Sequence, residues 1–530
     1  MAGKHSEPLR GLDATQSPLF QGKFGRLFRN LPAAQFGNGE KENKKNLEEL
    51  GDKMSADFDK PFDGPDPEES GIPSLYTYFG QFVDHDITFH PMSSLMKQAD
   101  PDALTDFRNP AFDLDNVYGR GPGDQPYMYA DKGKFLLGEK LAGGDPNATD
   151  LPRNRLDDGT PSGTPGRALI GDPRNDENSI VSQLQGLFLR FHNRLVDDND
   201  SATFEEIQQM LRFHYQYVVL HDFLPRIVSK AVLDELKSDG EYDQSKLKYF
   251  HWRHEPFMPV EFSVAAYRLG HSMVRPGYRL NDDDESLLPI FPVPKEGLLE
   301  GLTGFRRMIT GRGIDWGRFI DIDERHYTGS AANKKKRLQF AYRIDTSLVD
   351  PLSALPKSVV DPKDPPASLA QRNLLRGWRL GLPSGQSVAR AMGVTPLKDS
   401  EIVIGKALDP KDKEPVIPID QIANGVFTGN CPLWTYVLAE AAHHRTPVKI
   451  PVKGHPKPVN TPQLGPVGGR IVAETFLGLM FGDGASMLSR DPHWCPTELI
   501  GKQAKPKKDF KLKDFVRYAL GGGPPLLMRV

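Results

Sequence analysis

The sequence predicts a mainly α-helical protein with long loops and little β structure. Two apolar patterns at helical spacing carry that prediction, supported by connections rich in proline, glycine and aspartate and by the absence of any convincing strand ladder or internal repeat. The best pattern covers residues 178–196, where Ile180, Val181, Leu184, Leu187, Phe188, Phe191 and Leu195 recur every three or four positions. The other covers 204–223, with Ile207, Met210, Leu211, His214, Val218 and Val219 on its apolar side and Pro225 just beyond its end. Residues 259–273 and 369–380 read as a third and a fourth helix, and 471–480 as a short buried one.

Around these elements, residues 1–65 are rich in Gly, Lys, Asn and Glu and read as an irregular N-terminal arm. Residues 66–500 read as one large domain, and 501–530 as a C-terminal extension packed on it or trailing from it. The Pro/Lys-rich stretches 447–466 and 361–366 read as surface loops, because apolar helical sequence continues on both sides of them.

Charge excludes some partners. With 67 basic and 70 acidic residues the net charge is only -3, which argues against nucleic acid or an acidic membrane surface as principal partner. The Lys334-Lys335-Lys336-Arg337 run and the lysines of 502–513 read as solvated faces. Cys431 and Cys495 have neither metal-type spacing nor a disulfide framework, and a single bridge between them stays open. No apolar run is long enough to span a bilayer and the start lacks a secretory pattern, so a cytoplasmic location is the default, with non-classical secretion as the other route.

The most informative segment is Gly80-Gln81-Phe82-Val83-Asp84-His85-Asp86-Ile87. In a helix Gln81, Asp84 and His85 share one face while Asp86 points away, so a single turn serves two sites. An imidazole between an amide and a carboxylate suits acid/base work on a small ligand, and a separate carboxylate suits a hard cation. A capped core histidine would produce the same pattern.

Three further segments carry chemistry. In Gly171-Asp172-Pro173-Arg174-Asn175-Asp176-Glu177-Asn178, Asp176 or Asn178 can cap the helix that follows, which leaves Arg174 to stabilise an anion or developing negative charge. In Arg268-Leu269-Gly270-His271, the histidine sits in apolar surroundings beside a glycine that lets a flat ligand approach the backbone, and Arg268 can reach a carboxylate on that ligand. Residues 109–119 alternate oxygen-bearing side chains with turn formers, as a calcium ion requires, without the spacing of an EF-hand; an Asx-rich turn is the plainer reading.

Taken in order, these motifs, with Arg372-Asn373-Leu374-Leu375-Arg376-Gly377 and Gly381-Leu382-Pro383 after them, resemble the animal-type haem peroxidases. That family is the peroxidase-cyclooxygenase superfamily of myeloperoxidase and lactoperoxidase, and the likeness is greatest to its bacterial members. The similarity runs over about 76–496 and implies a helical haem peroxidase catalytic domain at 66–500. By the resemblance His85 is the distal histidine, Arg174 the distal arginine and His271 the proximal ligand of the haem iron, with Gln81 lining the distal cavity. Asp84 and Glu177 match the carboxylates that ester-link the haem, a haem b. Asp86 would join Asn109, Ala111, Asp113 and Asp115 around one calcium ion, Asn373 would hydrogen-bond the proximal imidazole, and Arg268 would pair with a haem propionate.

The implied function is reduction of hydrogen peroxide with oxidation of iodide, bromide, thiocyanate or phenolic donors. Asn178 stands where myeloperoxidase-like enzymes carry a methionine that forms a sulfonium link, so that bond is absent and chloride oxidation is expected to be poor. Asn109 replaces a threonine common among relatives. Two other readings remain. A fatty-acid dioxygenase of the same superfamily would need a radical-bearing tyrosine at position 268, where Arg268 stands beside Tyr267; a haem- and calcium-stabilised interaction module would have lost turnover. None of these motifs encodes the oligomeric state.

Overall fold

The computed structural model describes residues 22–61, 63–88, 105–106, 108–154, 166–329, 335–357, 360, 365–412, 414–455 and 457–527. Among them the helices of eight residues or more are α1 (Glu40–Lys53), α2 (Leu75–Ile87), α3 (Ser179–Asp198), α4 (Phe204–Val218), α5 (Leu369–Arg379), α6 (Leu433–His443), α7 (Pro466–Gly482) and α8 (Leu512–Ala519). Strands are short: six two-stranded pairs, and one sheet in which Gly22–Gly25 lies between Thr105–Asp106 and Met258–Pro259. The fold is mainly α, as the apolar periodicity predicts.

Local chemistry explains the two strongest helices. Asn178 Oδ1 accepts the amides of Ile180 and Val181 at 3.0 and 2.9 Å and caps α3, while Thr203 and Glu206 form a capping box at the start of α4. The apolar face of α3 then meets two other helices. Phe188 stacks on Phe82 of α2 at 4.2 Å, and Phe191 stacks on Phe515 of α8 at 4.1 Å. The C-terminal residues to 527 are therefore packed on the body, with α8 preceded by the hairpin of Thr497–Ile500 and Gln503–Pro506.

Several expectations are corrected. Residues 1–21 of the expected arm lie outside the described residues, but Gly22–Gly25 is a paired strand and Glu40–Lys53 a helix that buries Asn43, Asn46, Leu47 and Leu50 and packs on α5. Its outer face is almost all Glu and Lys, so two leucines are its whole apolar signal. The helix expected over 259–273 is broken into Val260–Ser263, a 3-10 turn Ala266–Leu269 and Gly270–Met273, with Ala265 in a non-helical conformation. Because Val260, Phe262, Ala265, Ala266, Leu269 and Met273 are all buried, no polar face marks where the break falls. The helix from Phe204 loosens into a π turn, Val219–Phe223, and resumes as Leu224–Ile227, where Pro225 occupies the first turn.

The stretch 447–466 is not all loop: Arg445–Val448 pairs with Val459–Pro462. Residues 361–364 of the other expected loop lie outside the described residues, as does Lys334. Arg337 is not solvated; it is buried and bonds Glu69 at 2.7 Å. Cys431 and Cys495 are both buried and free, so the bridge does not form. Among the described residues no helix is long and apolar enough to cross a membrane.

Candidate active site

α2 presents two chemically distinct faces. His85 is only 5% exposed and looks toward the 3-10 turn Pro173–Asp176 that leads into α3. Its Nδ1 lies 2.7 Å from Asn175 Oδ1, and Asn175 in turn donates from Nδ2 to Gln185 Oε1 at 2.8 Å. His85 Nε2 sits 3.8 Å from Glu177 Oε1, to which Gln81 Nε2 also donates. Asp84 completes the face, its Oδ1 accepting from Thr88 Oγ1 at 3.3 Å. Helical spacing sets Gln81, Asp84 and His85 on one face, and the turn before α3 brings Glu177 to it.

Arg174 stands beside them. It donates through Nη2 to the carbonyls of His85 and Thr88 at 2.9 and 2.7 Å and to Asp172 Oδ2 at 2.8 Å. Burial pushes the carboxyl of Glu177 up to about 7, against the pull of Arg174, although the side chain keeps 31% of its surface accessible. Burial raises Asp84 as well, with Arg268 and Arg174 opposing it. Asn178 caps α3, whereas Asp176 is claimed by Arg153, which donates to its two oxygens at 2.6 and 2.7 Å.

The opposite face of α2 carries Asp86. It is fully buried, and neither carboxylate oxygen has a hydrogen-bond partner among the described residues. Asp86, Asp113 and Asp115 each offer an oxygen atom, all within 4.8 Å of one another. Burial, then the negative charges of Asp113 and Asp115, raise Asp86 well above the usual carboxylate range. One buried and two half-buried carboxylates, with both oxygens of Asp86 and Oδ1 of Asp115 unpartnered among the described residues, fit a hard divalent cation, which would supply the missing positive charge. Asn109 and Ala111 form the turn that leads into this cluster, with the Ala111 amide donating to the Asn109 carbonyl at 2.7 Å.

His271 lies on the short helix Gly270–Met273. Its Nδ1 is 2.8 Å from Asn373 Nδ2 on α5; turning that amide end for end presents Oδ1 instead, so that Nδ1 donates and the Nε2 lone pair is left for a ligand. Burial, then the charge of Arg268, lowers the imidazole to about 3, so it is neutral, the form that binds a metal. A Cβ at Gly270 would meet nothing within 4 Å, which leaves room for a flat ligand against the backbone. Arg268 is held by a bond from Nε to the Ser263 carbonyl at 2.9 Å. Tyr267 ties this segment to α2 by donating to the Gly80 carbonyl at 3.2 Å, and Thr77 Oγ1 reaches the Met273 carbonyl at 3.5 Å.

Residues 108–296 match the family model described as animal haem peroxidase. That stretch of the chain is similar to an animal haem peroxidase domain. Thyroid peroxidase of Homo sapiens is 28% identical over 123 residues, 22% of this chain and 12% of that protein. Chorion peroxidase of Aedes aegypti is 28% identical over 117 residues, 21% of this chain and 15% of that protein. The matched stretches are thus a small part of these relatives. Peroxidase A from Dictyostelium discoideum shares the fold, with a TM-score of 0.56 and 15% identity over 93% of this chain and 94% of that one. An animal haem peroxidase domain implies haem, and the neutral His271 imidazole beside the open Gly270 backbone fits it.

Four further residues shape the site without a motif of their own. Asn175 and Gln185 orient His85, and Asp172 and Arg108 hold Arg174. Proximity is the signal for three of them: Asp172 and Asn175 stand within two positions of Arg174, and Arg108 immediately precedes the 109–119 loop.

Proposed function

We propose that the chain is a haem-dependent peroxidase that reduces hydrogen peroxide and oxidises small anions (iodide, bromide, thiocyanate) or phenolic donors. One observation carries this reading: His85 and His271, borne on segments that Tyr267 ties together, are each gripped at Nδ1 by an asparagine. Each imidazole is thereby oriented from behind and keeps Nε2 for chemistry.

His271, with Asn373 behind it, would bind haem iron; Arg268 would meet a propionate, and Asp84 and Glu177 would form esters to a haem b. Haem, when bound, supplies a redox centre that takes oxidising equivalents from peroxide and passes them to a donor. His85 Nε2 accepts a proton from hydrogen peroxide and returns it to the oxygen that leaves as water. Arg174 stabilises the negative charge that develops as the O–O bond breaks. Gln81 orders a small anion or water beside His85. For iodide the sum is H2O2 + I⁻ + H⁺ → HOI + H2O.

A calcium ion held by Asp86, Asp113 and Asp115, with Asn109 and Ala111 in its loop, fixes the α2 turn that aims His85. Residues 66–500 form the catalytic domain in this reading. Asn178, the α3 cap, cannot form a sulfonium link, so chloride is a poor substrate. The dioxygenase reading is disfavoured, because position 268 is arginine and the hydroxyl of Tyr267 is engaged by Gly80.

The test is peroxide-dependent oxidation of iodide, bromide and thiocyanate by the haem-loaded protein. Loss of about 10² to 10⁴ in rate for His85→Gln with haem retained is expected. Equal rates for the variant and the native protein would contradict the assignment.

A further inference from the structure

Asp115 divides its carboxylate between two neighbours. Oδ2 accepts from Arg108 Nη1 at 2.8 Å, while Oδ1 is buried without a hydrogen-bond partner among the described residues. The second arm of Arg108, Nη2, donates to Asp172 Oδ2 at 2.6 Å and to the Gly171 carbonyl at 3.3 Å. Asp172 is fully buried and gives both oxygens to Arg174: Oδ2 to Nη2 at 2.8 Å, and Oδ1 to Nε at 3.2 Å and to the backbone amide at 2.8 Å. A continuous line of charge-assisted hydrogen bonds therefore runs from the acidic cluster of Asp86, Asp113 and Asp115 to the Arg174 guanidinium.

The two loops on this line are also in backbone contact. Asp172 donates its amide to the Asn116 carbonyl at 3.1 Å, and a Cβ on Gly171 would stand 2.4 Å from the Asp115 carbonyl oxygen, so only glycine fits there. Burial by itself would raise Asp172, but the guanidinium groups of Arg174 and Arg108 overcome it and hold the carboxyl well below its ordinary value.

The geometry points to Arg108 as a positioning residue that couples cation occupancy of the Asp86, Asp113 and Asp115 cluster to the placement of Arg174. The inference rests on the reading of Arg174 as the charge-stabilising group of the site. A cation fixes the Asp115 carboxylate plane, and with it the direction of Oδ2. The guanidinium is a rigid planar fork, so aligning one arm on Asp115 sets where the other arm meets Asp172. Asp172 then determines the orientation of the Arg174 side chain and amide together. Without the cation, the three carboxylates repel one another and Arg108 alone has to hold the Asp115 side chain. A lysine at 108 keeps the charge but carries no fork.

The test is hydrogen exchange of the amides of Gly171, Asp172, Arg174, Asn175 and Asp176 in the haem-loaded protein with and without Ca2+, alongside calorimetric titration of Ca2+. In the native chain Ca2+ should slow exchange in this segment by about fivefold or more, the lower range of coupling between linked sites. Arg108→Met and Arg108→Lys should keep Ca2+ binding and lose the added protection. The same protection in either variant, no protection in the native chain with Ca2+ bound, or no Ca2+ uptake at all would each overturn the proposal. This readout does not use turnover: a native protein unreactive toward peroxide contradicts the peroxidase reading, while the exchange result still decides the coupling.

Discussion

His85 Nδ1 lies 2.7 Å from Asn175 Oδ1, and the nitrogen of the same amide donates to Gln185 Oε1 at 2.8 Å. The second bond sets which end of the Asn175 amide faces the ring. An oxygen at Nδ1 requires that Nδ1 carry the proton, so Nε2, 3.8 Å from Glu177 Oε1, keeps its lone pair. Asn373, whose Nδ2 stands 2.8 Å from His271 Nδ1, takes the same part once its amide is turned end for end.

Asn175→Ala should therefore slow the reaction with peroxide by about tenfold or more, less than loss of the base itself, because the imidazole survives but its tautomer and orientation are no longer held. Rapid mixing with peroxide across pH checks this: the rate falls and its pH profile moves, while haem affinity stays native.

Asp84 and Glu177 both line the face of α2 and the turn that holds His85, each with a carboxyl that burial raises. If both form ester links, acidified organic solvent should release no haem from the native protein after peroxide treatment. Asp84→Asn and Glu177→Gln should each leave a single link, detectable by the mass of the haem-bearing peptides, and the double variant should release haem fully.

The buried oxygens of Asp86 have no hydrogen-bond partner among the described residues, and a bound cation would compensate them. Chelation should lower the thermal midpoint of the protein, and excess calcium should restore it. At a free concentration about 100 times the dissociation constant the linkage is worth about 2.7 kcal/mol. Asp86→Asn should abolish the calcium dependence in scanning calorimetry.

Glu440 gives a pH dependence away from the site. It is buried, accepts the amides of Val467 and Gly468 at the start of α7, and burial pushes its carboxyl up to about 7. A folded value raised above an unfolded one near 4.5 means that the folded chain binds the proton more tightly. That stabilisation is complete below about pH 4.5 and is lost as pH rises through about 7, a change of about 3 kcal/mol. Denaturant titrations between pH 4 and 8 should show the slope in the native chain and a flatter one in Glu440→Gln.

Legibility from sequence followed the kind of signal each residue leaves. His85, Arg174 and His271 stand in short motifs whose order along the chain points to one family, and α3 and α4 repeat apolar residues at helical spacing. The helix at Glu40–Lys53 was hidden because its exposed face is nearly all charge, and the break near Ala265 because the segment is buried all round. Asn175, Asp172 and Arg108 act through partners distant in sequence or through loop geometry: Arg108 lies 64 residues from Asp172. Polar residues in loops carry no period, so nothing short of coordinates links them.

The central claim is that His85, Arg174 and His271 make a peroxide-reactive haem site. The measurement that tests it most directly is the Soret spectrum of the haem-loaded protein before and after one equivalent of hydrogen peroxide, then again with bromide, iodide or thiocyanate present. The account predicts a high-spin ferric spectrum that changes rapidly with peroxide and is returned to its starting form by at least one of those anions. A protein that holds haem yet shows no spectral response to peroxide would contradict it.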